Sequence, residues 1–187
     1  MAEGLTALSR PYAWPWHGHF EPRRTAILVF RDGEIAPPDR EVAALLRSIV
    51  ALGADLGVTV ADLPRGMRQP TLADFAADFA VSRPHHGGFS GTDLDVLLRR
   101  RKISDLIFAG FPFELGADCT MRQANDLGYE CIALTDCCTG LAPDTLAGAL
   151  ASIQMSGGIF GAVAEASSIL ELFATAREAA ARHPSGG

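Results

Sequence analysis

No apolar run in the 187 residues reaches the ~20 needed for a helix to cross a bilayer. The amino-terminal MAEGLTALSRPYAWPW holds no uninterrupted apolar segment, so it does not read as a secretory signal. Positive charge is scarce: 16 Lys and Arg stand against 22 Asp and Glu, a formal net charge of −6. That acidic, unclustered balance argues against a nucleic-acid backbone or an anionic membrane surface as partner. No Gly-x-Gly-x-x-Gly follows the first predicted strand, which removes the usual support for dinucleotide binding. The four cysteines, Cys119, Cys131, Cys137 and Cys138, form no C-x-x-C pair with a histidine partner, so a zinc site is not expected. They read as reduced thiols of a cytoplasmic protein. His85-His86 reads as a loop pair and not as a ligand pair, and neither metal nor cofactor is expected. Internal repeats and low-complexity linkers are also missing.

What remains is an ordinary globular balance, 48% hydrophobic and 20% charged, long enough for one domain over residues 1–187. Residues 1–23 read as an arm. Its aromatic cluster of Trp14 and Trp16, with His17 and His19, is suited to pack on a neighbouring subunit or on the domain's own edge. After it, strand and helix alternate. TAILVF (25–30) is a continuous apolar run, as in a strand buried on both faces. Turn residues Asp32-Gly33 and Pro37-Pro38 lead to Asp39, a good N-cap for a helix over 40–56 with apolar Val42, Leu45, Leu46, Ile49 and Leu52. Further strands are predicted at GVTVADL, SDLIFAG, YECIALTD and IFGAV. Helices are predicted from Thr92 as N-cap, over 114–128 with Gly128 at its end, over PDTLAGALASIQMSG, and over the last Ala-rich stretch. TLADFAADFAV (71–81) fits a short helix, or a helix feeding a strand. This alternation predicts a three-layer α/β/α sandwich with a mainly parallel sheet, and a ligand site at the carboxyl ends of its strands.

One segment is specific enough to suggest a family. FAGFPFELGADCTMRQANDLGYECIALTDCCTG resembles the signature region of the isochorismatase-like superfamily, nearest to its biuret-hydrolase-like cysteine hydrolases. TMRQANDLGYEC followed by TDCC is the most distinctive piece. RPHHGGFSGTDLDVLL, PYAWPWHGHFEPRRTAILVF and QMSGGIFGAV agree and fall in the right order. The resemblance implies an isochorismatase-like (Rossmann-like) fold. It also implies a catalytic set of Asp, Lys and Cys, in which a thiolate attacks a carbonyl carbon and releases ammonia or an amine. Carried onto this chain, each position differs. The Asp position is Arg31, which cannot take up a proton. The Lys position is Arg83, and the Cys position is Gly116, which has no side chain. The resemblance also places a cis peptide and an oxyanion-hole donor near the nucleophile. Here that residue is Pro112, so Phe111–Pro112 is expected to be cis with the N–H donor lost.

Several rescues are open at this level. Asp32 could replace the missing acid, although neighbours on a strand point to opposite faces. Cys119, three residues beyond Gly116, could be a relocated nucleophile or a core thiol. Gly in place of the Cys also resembles the vinyl-ether-cleaving isochorismatases, whose acid Arg31 would displace. Glu114 could pair with Arg31 or Arg83 and plug the pocket. Three readings follow: a catalytically inactive structural or regulatory subunit, forming a homo-oligomer or joining an active relative; an amide or ureide hydrolase rebuilt around Asp32, Arg83 and Cys119; and a small-carboxylate binder gripped by the two arginines.

Overall fold

The computed structural model describes residues 20–32, 40–66 and 75–182. Residues 1–19 with the arm's aromatic cluster, the 33–39 turn with Asp39, and residues 67–74 lie outside the described residues. A 3-10 turn, Pro22–Arg24, leads into β1 (Thr25–Asp32). There follow α1 (Arg40–Asp55), β2 (Thr59–Arg65), β3 (Phe79–Ala80), α2 (Leu94–Arg100), β4 (Asp105–Gly110), α3 (Asp118–Asp126), β5 (Glu130–Cys138), α4 (Pro143–Met155), β6 (Ala162–Ala164) and α5 (Ala166–Arg182). The six strands form one sheet in the order β3-β2-β1-β4-β5-β6, parallel at every pairing. β1 and β4 are central and buried almost throughout, which is why their sequences are apolar without alternation.

Two cores flank the sheet. On one face Ile27 and Val29 of β1 and Val60 of β2 pack against Leu46, Ile49 and Val50 of α1 and Ile169 and Phe173 of α5. On the other, Ala26, Leu28 and Phe30 of β1 and Leu63 of β2 pack against α2, α3 and α4 through Leu94, Leu98, Met121, Ala124 and Ile153. Strand parity therefore assigns odd positions of β1 to the α1/α5 face and even positions to the α3 face.

Most predicted elements form close to their expected bounds, with three instructive differences. β1 runs two residues further than its apolar run, to Asp32, because β2 pairs with it in unbroken register to Asp32↔Arg65. The described part of 71–81 holds no helix; Asp78 accepts the Val60 N–H at 2.7 Å, and Phe79–Ala80 is a short edge strand. The strand expected at IFGAV starts only at Ala162. Gly157, Gly158 and Gly161 all adopt positive φ and hold Ile159 in an exposed turn.

At the same end of the sheet as this turn, where β4 and β5 begin, Asp105 and Glu130 are register partners. Burial, reinforced by Asp105, pushes the Glu130 carboxyl upward. A raised folded-state value penalises the charged form, so the penalty is absent in acid and complete once pH exceeds that value. Glu130→Gln should therefore raise Tm by about 1–2 °C at neutral pH, with the gain vanishing in acid. Thermal melts across that pH range check it; a gain that persists in acid would rule out the electrostatic cause.

Candidate active site

The carboxyl ends of β1, β2 and β4 meet at one place, and the turn after β4 closes over it. Phe111–Pro112 is cis, as the sequence led one to expect. From Phe113 to Ala117 the chain makes a π-helical turn before α3 continues, so the helix predicted from residue 114 begins with a widened turn. Gly116 lies buried in that turn. Its N–H donates to the Pro112 carbonyl at 3.1 Å, and its own carbonyl accepts the Thr120 hydroxyl at 2.7 Å. Thr120 in turn accepts the Gly88 N–H at 2.7 Å, which docks the 83–92 loop onto α3.

Arg83 is buried at the centre. Its backbone extends the β2 side of the sheet through a bridge to Arg65, with its N–H on the Pro64 carbonyl at 2.9 Å. Its guanidinium works as a staple across three segments. Nε donates to the Leu63 carbonyl at 3.0 Å, Nη2 to the Arg31 carbonyl at 3.1 Å, and Nη1 to the His86 carbonyl. The cation sits over the Phe30 ring, 5.1 Å from its centroid. Burial lowers Arg83 to about 10, opposed most strongly by the Asp32 carboxylate, so it remains a cation at neutral pH.

Two of the three family positions thus adjoin. A Cβ built on Gly116 would lie 3.4 Å from Arg83 Nη1 and 3.6 Å from Nη2, but only 3.1 Å from Phe30 Cδ1. Arg31 joins them only through its carbonyl. Its side chain follows the odd-numbered face of β1, and Nε donates to Asp62 Oδ1 at 2.7 Å while Nη2 reaches Asp62 Oδ2. The two arginines therefore do not face a shared anion. Asp32 shares the even-numbered face with Phe30, Gly116 and Arg83, without any bulge, and accepts from Arg65 Nη1 at 2.8 Å. Parity, which seemed to turn Asp32 away, instead turns Arg31 away.

Glu114 pairs with neither arginine. Its Oε1 accepts the Thr145 hydroxyl at 2.5 Å and the Leu141 N–H at 3.1 Å, so it holds the first turn of α4. Cys119 is half-buried, with its thiol on the Glu114 carbonyl at 3.6 Å. Burial and then Asp118 push that thiol up, against the smaller pull of Arg122 and Arg83. The low value expected of a rebuilt nucleophile is not found. Cys137 is pushed up to about 12 by burial and Asp136, and Cys138 is raised by burial. The only lysine in the chain, Lys102, lies in the exposed turn before β4, at the other end of the sheet from Arg83.

Phe30, Asp62, Arg65 and Thr120 were not identified from the sequence. Asp62 had a signal, a carboxylate inside the otherwise apolar run of β2 that calls for a buried cation. Phe30 had none, being one more apolar residue at the end of an apolar strand. Among the described residues, no group of three or more His, Cys, Asp or Glu is arranged to hold a metal, and no helix is long and apolar enough to cross a membrane.

A six-stranded parallel sheet between two helical layers, with a site where β1, β2 and β4 end, places this chain in the isochorismatase-like α/β class. Residues 68–166 match the isochorismatase domain model, and the chain belongs to that family. It is 42% identical over 67 residues to the uncharacterized isochorismatase family protein YwoC of Bacillus subtilis, covering 36% of this chain and 35% of that one. It is 31% identical over 96 residues to the ureidoacrylate amidohydrolase RutB of Acinetobacter baylyi, covering 51% of this chain and 38% of that one. The matched stretches thus span little more than a third of either relative's length. Its fold is that of a cysteine hydrolase from Pseudomonas syringae pv. phaseolicola (TM-score 0.74, 20% identity, 90% of this chain and 100% of that one). It is also that of a pyrazinamidase/nicotinamidase from Streptococcus mutans (TM-score 0.65, 17% identity, 75% and 99%).

Proposed function

We propose that this chain is an isochorismatase-family homologue that has lost C–N bond hydrolysis and acts by binding, as a structural or regulatory subunit. The observation that carries this reading is at Gly116. The position assigned to the nucleophile has no side chain, and a Cβ placed there would stand tight against Phe30 Cδ1 at 3.1 Å and in ordinary contact with Arg83 Nη1 at 3.4 Å. The surroundings support it. Arg83, at the position assigned to a catalytic lysine, spends its guanidinium on backbone carbonyls. Pro112 has no N–H to give an oxyanion. Cys119 has a raised pKa, where a nucleophile needs a lowered one.

A second reading is favoured by one observation: Asp32 lies on the face of Phe30, Gly116 and Arg83, where an acid or base could act. It would make the protein an amide or ureide hydrolase with a rebuilt site.

Ammonia release from biuret, ureidoacrylate, nicotinamide and related small amides separates the two. The first reading expects no turnover above a Cys119→Ala, Asp32→Asn control. Turnover abolished by Asp32→Asn would establish the second reading and overturn the first. In the same preparation Cys119 should react with iodoacetamide more slowly at neutral pH than a free cysteine does, as its raised pKa requires. Faster alkylation would remove the argument against it as a nucleophile.

A further inference from the structure

Helices α1, α2 and α3 end in the same turn, and α2 fills it with an unusual residue. Beyond α1 and α3 stands a glycine at positive φ, Gly57 at 83° and Gly128 at 85°. The following N–H, of Val58 or Tyr129, closes on the carbonyl five residues back, that of Gly53 or Ala124, at 2.9 Å. α2 closes the same way, with the Ile103 N–H on the Leu98 carbonyl at 3.1 Å, but its left-handed position holds Lys102 at a φ of 60°. Among the described residues Lys102 is the one non-glycine at positive φ. A side chain there is strained, and glycine is the ordinary remedy. The helix dipole does not call for the lysine, because Arg99, Arg100 and Arg101 already stand at that helix end.

Lys102 instead completes a cluster. Arg99, Arg100, Arg101 and Lys102 are all exposed, as are Arg23 and Arg24. The two runs are joined: the Ser104 N–H donates to the Arg24 carbonyl at 2.9 Å, and Arg24 Nε donates to Ser104 Oγ at 3.2 Å. Six of the 16 Lys and Arg of a chain at −6 thus gather where β1 and β4 begin. Arg99 is paired with Asp95, whereas Arg23, Arg100 and Lys102 make no ion pair among the described residues. Two apolar side chains flank the cations. Val96 is 54% exposed one turn before Arg99 and Arg100, and Leu127 is 40% exposed, with its carbonyl accepting Arg99 Nη2 at 3.0 Å.

We infer that the carboxyl end of α2, with Arg23 and Arg24 beside it, is a docking surface for a short acidic segment of a partner protein that also carries apolar side chains. Charge complementarity sets the sign of the partner, since the exposed arginine forks match carboxylates in geometry as well as charge. The surroundings set its length. Glu21, Asp105 and Glu130 lie at the same end of the sheet, so a long polyanion or a flat anionic surface would run from the cations onto carboxylates. Val96 and Leu127 set its chemistry. Aliphatic side chains next to the cations offer nothing to a phosphate backbone, but they give a peptide side chain a place to bury apolar area. The strain at Lys102 follows from the same reading, as a cost in stability kept for a charge that a ligand uses. This inference goes beyond the catalytic reading and stands whether or not the site at Gly116 turns over any substrate.

The test is fluorescence anisotropy of the full chain with a short fluorescein-labelled peptide of Glu and Asp carrying two leucines. Wild type should bind it saturably at micromolar concentration, and less tightly as salt rises. Arg100→Glu with Lys102→Glu, both on exposed positions and checked for unchanged circular dichroism, should weaken binding at least ~10-fold. Arg47→Glu, on the exposed side of α1, should leave it unchanged. Replacing the two leucines of the peptide by serine should weaken it ~5-fold or more. Lys102→Gly should raise Tm by about 2–4 °C yet weaken binding ~3-fold, an opposition that a purely structural lysine would not produce. A wild type that does not bind the peptide overturns the inference, as does binding that the double variant leaves unchanged. A Lys102→Gly protein that binds like wild type overturns it too, since the strained lysine would then serve no contact. Tighter capture of a duplex DNA oligonucleotide or of phosphatidylglycerol vesicles than of the peptide also overturns it, and would give the surface to that polyanion.

Discussion

Gly116→Cys, the single change that reintroduces a nucleophile, should lower Tm by about 3–6 °C and yield a poorly reactive thiol. The new Cβ meets Phe30 Cδ1 at 3.1 Å. That ring cannot give way easily, because it is stacked on Phe108 at 5.9 Å and lies beneath the Arg83 cation. Overpacking of this kind costs ~1–3 kcal/mol, partly offset by up to ~1 kcal/mol from replacing a glycine in a helical turn. Phe30→Val alone removes a fully buried ring and should cost ~2–4 kcal/mol. The two changes should not add. The double variant should be more stable than their sum by ~1–2 kcal/mol, since the valine vacates the space that the thiol needs. In a Cys119→Ser background, the thiol introduced at 116 should alkylate faster in the double variant, with Arg83 beside it favouring the thiolate. Chemical denaturation and iodoacetamide kinetics measure both quantities. Strict additivity would mean that Phe30 does not close the site, and the central support for lost catalysis would fall.

Arg83→Met should destabilise the fold by ~3–5 kcal/mol, lowering Tm by about 10 °C or more. The substitution keeps much of the side chain's bulk but strips donors from three carbonyls at once, those of Leu63, His86 and Arg31. It also removes a cation from beside the buried Asp32. Arg83→Lys should cost roughly half as much, about 2 kcal/mol. An ammonium keeps the charge but is a single point, and it cannot span acceptors on two strands and a loop. Urea titrations of the three proteins decide the matter. If Arg83→Lys proved neutral, the charge and not the fork would be what the site requires, and Arg83 would again resemble a catalytic cation.

The sequence made some parts of this site readable and hid others, for physical reasons. Turn chemistry is local, so the helix end at Gly128 could be anticipated from the residues themselves, while the cis Phe111–Pro112 bond was expected because the family resemblance places a cis peptide there and proline makes it cheap. Pairing between distant segments is not local. Arg31 meets Asp62, Asp32 meets Arg65, and Glu114 meets Thr145 across separations of 31, 33 and 31 residues. Nothing in composition or spacing selects those partners over the alternative of Glu114 with an arginine. The IFGAV strand was misplaced because its apolar letters suggested burial, while three glycines at positive φ decided the backbone.

By itself, the amino-acid sequence determined the alternation of buried strands and amphipathic helices, hence the parallel α/β sandwich, and the residue types at the positions assigned to catalysis. Those follow from hydrophobic period and side-chain chemistry, which are carried residue by residue. Only the tertiary structure decided which side chains share the site. The β1–β2 register runs unbroken to Asp32, so parity sends Arg31 to one face of the sheet and Asp32 to the other. The ends of three strands then converge on Arg83 and set Phe30 against Gly116, where the missing side chain would stand.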